Sequence, residues 1–410
     1  MTVANTRRVL LIGLGHNGRP YVSAAHRLGV AVTVVDTAPI LAAAESAGLF
    51  DHDDVLVPAH TPDTDQQWYL AARRAADLAP VSAVLAFSEP HVIAAALIAD
   101  ELGLAGPGLF AATVSRSKAL QRVLFECHGL AQPRFHLVNR ADDAAQWAGD
   151  RLPVVCKPIN GTGSRGVVLV STSAQLEQAV AEAEPGGTLL EEFLDAPEGS
   201  CEALVSSGRL VFVSLTDKTT GPLPHFTEIS HTVPGPLAEA ARAQIEELAA
   251  QAVAVLSVRD AIVHMEYRLT PAGPTLIELA VRTPGDRLME LVEHAWGVDL
   301  YEALIRLTLR EPIGIEPRHH AWAASWFVTA PDGIVTDVAG VTQTAALDGV
   351  RVCVVKAAPG DVIENRGSSA DRLGVVVVAA PSLDSLRDRL DTVSSTIRVN
   401  TTPHPLPVGE

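Results

Sequence analysis

Residues 153–170 read PVVCKPINGTGSRGVVLV. An apolar run delivers Lys157, a turn-rich stretch follows with Gly161, Gly163, Ser164 and Gly166, and a second apolar run starts at Val167. Short apolar runs bounded by Gly and Pro predict strands, so the stretch reads as a hairpin with a long glycine-rich connection. Such a connection can fold over a polyphosphate and donate backbone N–H groups, while a lysine at its base supplies a point charge for the α- and β-phosphates. It is not a P-loop, because the lysine precedes the glycines and no helix follows directly.

Upstream, apolar runs alternate with amphipathic stretches. Arg8–Ile12 (RVLLI) reads as a buried parallel strand, Arg19–Leu28 as a helix, and Val30–Val35 and Val81–Ala86 as further strands. That is the pattern of βαβ units and a parallel sheet. The turn formers of Gly103–Gly108 mark a linker. From Ser115 the pattern becomes α+β with antiparallel hairpins. It holds a helix at Ser117–Cys127 and strands at Pro153–Lys157, Val167–Ser171, Thr188–Glu192, Cys201–Val205 and Leu210–Ser214. A helix at Leu237–Leu256, strands at Ala261–Tyr267 and Thr275–Leu279, and a helical pair between Arg287 and Arg310 complete this part. Short strands return after Pro312, among them Val350–Val355 and Gly374–Val378, then a helix at Leu383–Val393 and a Pro-rich tail. Three parts are therefore expected: 1–112, 113–310, and a small α+β module over 311–410.

Gly13, Gly15 and Gly18 form GxGxxG directly after the first strand, and Asp36 ends the second. This is the dinucleotide fingerprint and keeps a nicotinamide-dependent oxidoreductase as an alternative. Against it, the parallel-sheet region stops near residue 108, room for half a dinucleotide fold, and nothing downstream reads as a hydride-transfer site.

Composition narrows the classes. In 410 residues, 48 acids against 31 lysines and arginines give a net charge of −17, which repels phosphate backbones and anionic lipid and argues against nucleic-acid or membrane-surface binding. Hydrophobic residues are 48%, enough for a folded core. Cys127, Cys156, Cys201 and Cys353 are far apart without a CxxC pair, so reduced thiols are expected rather than a disulfide framework or zinc. The apolar run at the N-terminus stops at glycines without a cleavage site, and no stretch approaches a membrane span. A cytoplasmic location is the expectation.

Further elements suit a nucleotide. Glu191-Glu192-Phe193-Leu194 closes a strand whose end can meet an adenine edge, and Glu198 can take ribose hydroxyls. Glu266 and Glu278 lie on two strands joined by the Pro271–Pro274 turn, so hairpin pairing can set both carboxylates on one face to hold Mg²⁺. Arg282 follows Glu278 by four residues, placed to steady a transferring phosphoryl group, and Asp286 follows by eight.

With these residues the chain resembles the ATP-grasp superfamily, and within it the carboxylate–amine ligases that join amino acids into dipeptides. The resemblance runs nearly end to end with the motifs in the family's order. It implies an ATP-grasp fold with a pre-ATP-grasp domain at 1–112, the ATP-grasp domain at 113–310 with a mobile lid about 153–195, and a biotin-carboxylase-like C-terminal module that includes Asp371-Arg372-Leu373-Gly374. Lys118 and Lys157 match the nucleotide-binding lysines, and Gly161, Gly163 and Ser164 the phosphate loop. Glu191 to Leu194 look like the adenine hinge, Glu198 the ribose acid, Glu266 and Glu278 the Mg²⁺ ligands, and Arg282 the arginine that stabilises the acyl-phosphate. The stretch 215–234 is similar to a substrate segment, in which Glu228 and His231 would face the substrates, with Glu89 reaching in from the first domain. Glu228 and His231 are the candidates for the amine's proton, and Asp286 for a substrate ammonium.

One position departs. The family usually has E-x-N-x-R, whereas this chain has ELAVR with Ala280 at the asparagine position, which bears on a second Mg²⁺. The resemblance implies ATP and one or two Mg²⁺, with Mn²⁺ as a substitute, and small-molecule substrates, a carboxylate and an amine. Dimers are common in the family, so a homodimer is one expectation. Another ATP-grasp ligase or carboxylase of nucleotide metabolism, and an inactive nucleotide-binding scaffold, are the remaining alternatives.

Overall fold

The computed structural model describes residues 7–403 apart from 16, 61–62, 139–140 and 183–185; the Pro-rich tail expected beyond them lies outside the described residues. The chain opens with a four-stranded parallel sheet in the order Val55–Ala59, Ala31–Thr37, Arg8–Ile12, Ala83–Ala86. Apolar side chains on both strand faces are covered by helices, as an all-parallel sheet requires. Tyr21, Val22 and Ala25 of the helix Arg19–Arg27 pack on one side, and Trp68, Ala72 and Ala75 of the helix Asp65–Leu78 on the other.

The glycine-rich turn after Ile12 serves packing. A Cβ on Gly13 would lie 2.0 Å from the ring of buried His91, and one on Gly18 would lie 2.3 Å from the Leu14 carbonyl oxygen. The Asp36 carboxylate accepts hydrogen bonds from the backbone N–H of Leu14 (2.6 Å), Gly15 (3.2 Å) and Thr37 (2.6 Å). The acid and amides that would hold a dinucleotide are therefore spent on each other, and the oxidoreductase alternative loses its basis.

The centre of the molecule is an eight-stranded sheet. Its order is Gly273–Ala280, Ala261–Thr270, Glu198–Ser206, Arg209–Thr220, Glu228–Val233, Trp322–Val328, Gly374–Ala380 and Val350–Val355, with antiparallel neighbours. The last three strands come from the expected C-terminal module, so that part extends the central sheet. A smaller three-stranded sheet, Val362–Ile363, Gly333–Ala339 and Arg398–Thr402, sits beside it.

The helix Glu239–Val255 buries Ile245, Leu248, Ala249, Ala252 and Val253 against Cys201, Ala203, Met265, Leu276 and Leu279. Each fully buried large aliphatic contributes about 1.5–3 kcal/mol, so this face fixes the hairpin carrying Glu266 and Glu278. The helices Leu288–Trp296 and Leu300–Thr308 join the central sheet to the N-terminal one through a shared core with Val9, Leu11, Leu204, Val233 and Val377. Tyr21 and Thr283 share a buried hydrogen bond across this junction.

A four-stranded antiparallel sheet, Phe135–Val138, Thr188–Glu192, Val154–Pro158 and Val168–Val170, stands over the central one. The helix Ser173–Ala181 packs on it behind a Thr172–Gln175 capping box. All four cysteines are free thiols, with Cys156 and Cys201 buried. Among the described residues no helix is long and apolar enough to cross a membrane.

Candidate active site

The space between the upper and central sheets is a cleft of about 1070 Å³. Lys118, Lys157, the loop Gly161–Arg165, Glu192–Leu194, Glu198, Glu266, Glu278 and Arg282 all line it, so the fold gathers the residues singled out from sequence. The hairpin register pairs Glu266 directly with Glu278, placing the two carboxylates side by side.

Each charge in the cleft has a partner. Lys118 Nζ donates to Glu278 Oε1 at 3.0 Å and to the Gly161 carbonyl at 2.9 Å. Lys157 Nζ meets Glu191 Oε2 at 2.7 Å, and Arg122 Nε meets Glu191 Oε1 at 2.6 Å. The Glu191 side chain is thus held between two buried cations at the edge of the cleft. Burial pushes its carboxyl up, but Arg122 and Lys157 outweigh that and hold it below the usual range. Glu191 fixes Lys157, and it lines the cleft together with Glu192, Phe193 and Leu194.

Lys218 was not singled out from sequence. It is buried, with Nζ 2.5 Å from Glu266 Oε1 and 3.6 Å from carboxylate oxygens of both Glu198 and Glu228. Glu198 also receives Arg268 at 2.5 Å. Behind Glu266 lies a second unread network. Buried Glu202 accepts from Ser200 Oγ (2.7 Å), Thr216 Oγ1 (2.5 Å) and His264 Nδ1 (2.9 Å), and His264 Nε2 stands 3.4 Å from Glu266. Burial opposes protonation of His264, yet Glu202 and Glu266 raise its pKa. The one signal was a lone histidine, His264, inside an otherwise strand-like run.

A second cavity of about 850 Å³ adjoins the first and shares Thr162, Gly163, Glu228, His264, Glu266 and Arg282 with it. Its far wall holds Glu89, His231, Asp286, Ser369 and Arg372. Arg282 Nε donates to Glu89 Oε2 at 2.6 Å, so the first domain reaches the junction of the two spaces as expected. His231 Nε2 is 3.1 Å from Asp286 Oδ2, while its buried Nδ1 has no partner among the described residues. Arg372 clamps Asp286 with Nη1 at 3.0 Å and Nη2 at 2.5 Å. Burial pushes the Asp286 carboxyl up, but hydrogen bonds from His231 and Arg372 prevail and hold it well below the carboxylate range. Asp286 and Arg287 both take positive φ, 57° and 65°, a conformation costing about 1–3 kcal/mol per residue that presents Asp286 to the cavity.

The glycine-rich loop is held down over the cleft. Ser369 N–H donates to the Gly163 carbonyl at 3.0 Å, Ser164 Oγ donates to the Phe226 carbonyl at 3.2 Å, and Leu169 N–H donates to the Pro224 carbonyl at 2.8 Å. Gly163, at φ +65° with Ser369 against it, is a position a side chain would disturb. Among the described residues no three His, Cys, Asp or Glu side chains form a ready-made metal centre. Glu266 and Glu278, each with a lysine seated on it, form a hard two-carboxylate pair that suits a divalent cation shared with phosphate oxygens.

A cleft under a glycine-rich loop, with two lysines, paired acids and an arginine at the mouth of a second cavity, is the site of an ATP-dependent carbon–nitrogen ligase. The ATP-grasp domain family matches residues 150–290, and the L-amino acid ligase C-terminal domain 2 matches residues 326–402. A crystal structure of the L-amino acid ligase from Bacillus licheniformis superposes with a TM-score of 0.82 at 21% identity, covering 97% of this chain and 99% of that one. Protein y4rH of Sinorhizobium fredii is 27% identical over 393 residues, 92% of this chain and 79% of its own length. Mouse carnosine synthase 1 is 28% identical over 340 residues, 76% of this chain, and the aligned part is 41% of that longer protein. The chain thus carries an ATP-grasp domain and an L-amino acid ligase C-terminal domain.

Proposed function

We propose that the chain joins the carboxylate of one amino acid to the amine of another, with ATP cleaved to ADP and phosphate through an acyl-phosphate. The observation that carries this reading is Arg282, which stands where the nucleotide cleft and the second cavity meet. Lys118, Lys157 and the backbone of the glycine-rich loop would bind the phosphates, with Glu192–Leu194 at the adenine and Glu198 near the ribose. Glu266 and Glu278 would hold Mg²⁺, or Mn²⁺ in its place. The cation, when bound, would offset the negative charge of the phosphates; Ala280 contributes no donor, so the two acids are the proposed protein ligands.

A free carboxylate is unreactive because oxide is its leaving group, whereas phosphate departs readily. Arg282 would steady the charge on the transferring phosphoryl group and on the tetrahedral species that follows. Closure of the glycine-rich loop would exclude water, the competing nucleophile. Glu228 would hold the incoming ammonium. With Nε2–H donated to Asp286, His231 Nδ1 is left as an acceptor for the amine's proton. The lid about 153–195, the three-part division and a homodimer belong to the same proposal; the homodimer rests on the resemblance alone, and sedimentation decides it.

The test is phosphate release from Mg·ATP against a matrix of single and paired amino acids, with mass detection of products. Release that requires two amino acids, with a product equal to their sum less water, is expected. Release with a carboxylate and a non-amino-acid amine would redirect the product, and bound ATP without turnover in any mixture would leave an inactive scaffold.

A further inference from the structure

Arg372 comes from the C-terminal part of the chain, yet its guanidinium stands in the wall of the second cavity. Among the described residues, three lysine or arginine side chains line that cavity: Lys218, Arg282 and Arg372. Lys218 is enclosed by Glu198, Glu228 and Glu266, and Arg282 is tied to Glu89 at the reacting end. Arg372 is the remaining cation, set back from that end.

Its anchoring leaves part of it free to act. The guanidinium stacks on the Phe327 ring, 3.8 Å from Cζ to centroid, which fixes its plane. Nε–H donates to the Ser369 carbonyl at 2.9 Å, and one N–H from each Nη goes to Asp286. A guanidinium carries five N–H bonds. Two therefore remain, one on each Nη, without an acceptor in hydrogen-bond range among the described residues. The nearest further carboxylate, Glu228 Oε2, is 3.9 Å from Nη1 and already accepts from Ser369 Oγ at 2.8 Å. The side chain is only 11% exposed, so water satisfies these donors poorly.

We infer that Arg372 is a specificity-determining residue that binds the carboxylate of the amine substrate, so the acceptor is an α-amino acid. The inference rests on the ligase reading above and names the acceptor's second group. In an α-amino acid the ammonium and carboxylate flank a single carbon. Glu228 and Arg372, 3.9 Å apart, are spaced to take those two groups at once. Glu228 supplies the negative member of the pair and Arg372 the positive one. The pair therefore matches a zwitterion better than a lone amine or a lone acid. The end-on fork is filled by Asp286, so the substrate carboxylate would take a single open N–H, that of Nη1 on the side of Glu228.

The test compares each amino acid accepted by the wild-type enzyme with its own carboxamide as acceptor, then repeats the pair in Arg372→Met and Arg372→Lys. In the wild type, kcat/KM is expected to fall about a hundredfold from acid to amide, the scale of an unpaired buried charge contact. In Arg372→Met the two acceptors should become equal within a few-fold through a raised KM for the amino acid, while the KM for ATP stays near the wild-type value. Arg372→Lys should recover part of the preference. A wild-type enzyme that forms amides equally well with acids and amides overturns this assignment and leaves the ligase reading intact; that comparison needs no variant to fold. A folded Arg372→Met that keeps the preference also overturns it. No amide from any pair instead overturns the ligase reading itself.

Discussion

Lys218 Nζ lies 2.5 Å from Glu266 Oε1 and within 3.6 Å of Glu198 and Glu228, so one buried ammonium answers three carboxylates of the reaction cleft. Burial works against its charge, but the attraction of Glu266, Glu228 and Glu198 raises its pKa well above the usual lysine range. Removing it would leave Glu266 and Glu228 crowded without their shared ammonium, while Glu198 keeps Arg268. Lys218→Met is expected to lose about 3–5 kcal/mol of stability in EDTA, with excess Mg²⁺ restoring part of it. Thermal melts in the two conditions decide: equal losses would mean that no cation takes the vacated place.

Glu191 bears the opposite burden, one carboxylate between the buried cations Arg122 and Lys157. Glu191→Ala should cost about 3–5 kcal/mol, because it strands two charges. Lys157 would also lose its orientation, so the affinity for ATP should fall about tenfold. Denaturant melts and nucleotide titration separate the two effects, and unchanged ATP affinity would remove Glu191 from the phosphate site.

Ser369 touches the glycine-rich loop at Gly163 through its N–H and Glu228 through its hydroxyl. Ser369→Ala keeps the first contact and deletes the second, worth about 1 kcal/mol. A Glu228 free to swing should hold the amine less well. Phosphate released per amide formed is then expected to rise about fivefold as water intercepts the intermediate. A ratio that stays at one would show that Glu228 is positioned without it.

His91 gives the acid limb of stability a specific contributor. Burial pushes its pKa down to about 4; Asp36 and Asp65 oppose the shift and Arg116 adds to it. As pH falls, the unfolded chain, with histidine near 6.5, takes the proton first, so the stabilisation is complete above about 6.5 and lost on the way down to about 4. The loss is at most about 3 kcal/mol. His91→Phe should flatten that interval in urea melts, and an unchanged acid limb would assign it to carboxylates.

How much of this was legible beforehand varied with how local the cause was. Arg8–Ile12, Thr188–Glu192 and Val350–Val355 were readable to the residue, since apolar runs between turn formers carry their own boundaries. Val55–Ala59 was not, because Pro58 argues against a strand and the run lies at the sheet edge, where proline is tolerated. The helix Val92–Leu102 escaped because VIAAALIADEL is apolar nearly all round and offers no amphipathic period. In the site, Glu266, Glu278 and Arg282 were visible through hairpin spacing. Lys218 was not: its strand runs to Thr220, and the polar TDKTT end looks like a loop until three acids from other strands are set around it. Arg372 was quoted within a motif but its side chain's destination, across the molecule at Asp286, depends on tertiary contact.

The central sheet also has a bearing on how this chain can be divided. The recognisable C-terminal family begins at residue 326, inside the strand Trp322–Val328, whose Ser325 and Trp326 pair with His231 and Ser230. A cut there would split a strand and bare the edge beside His231, a surface prone to sticking to other chains. Pieces made at that point are expected to be insoluble separately and to regain activity only when folded together. What looks like an interchangeable cassette in an alignment is, in the folded molecule, a set of ribs shared with the catalytic half.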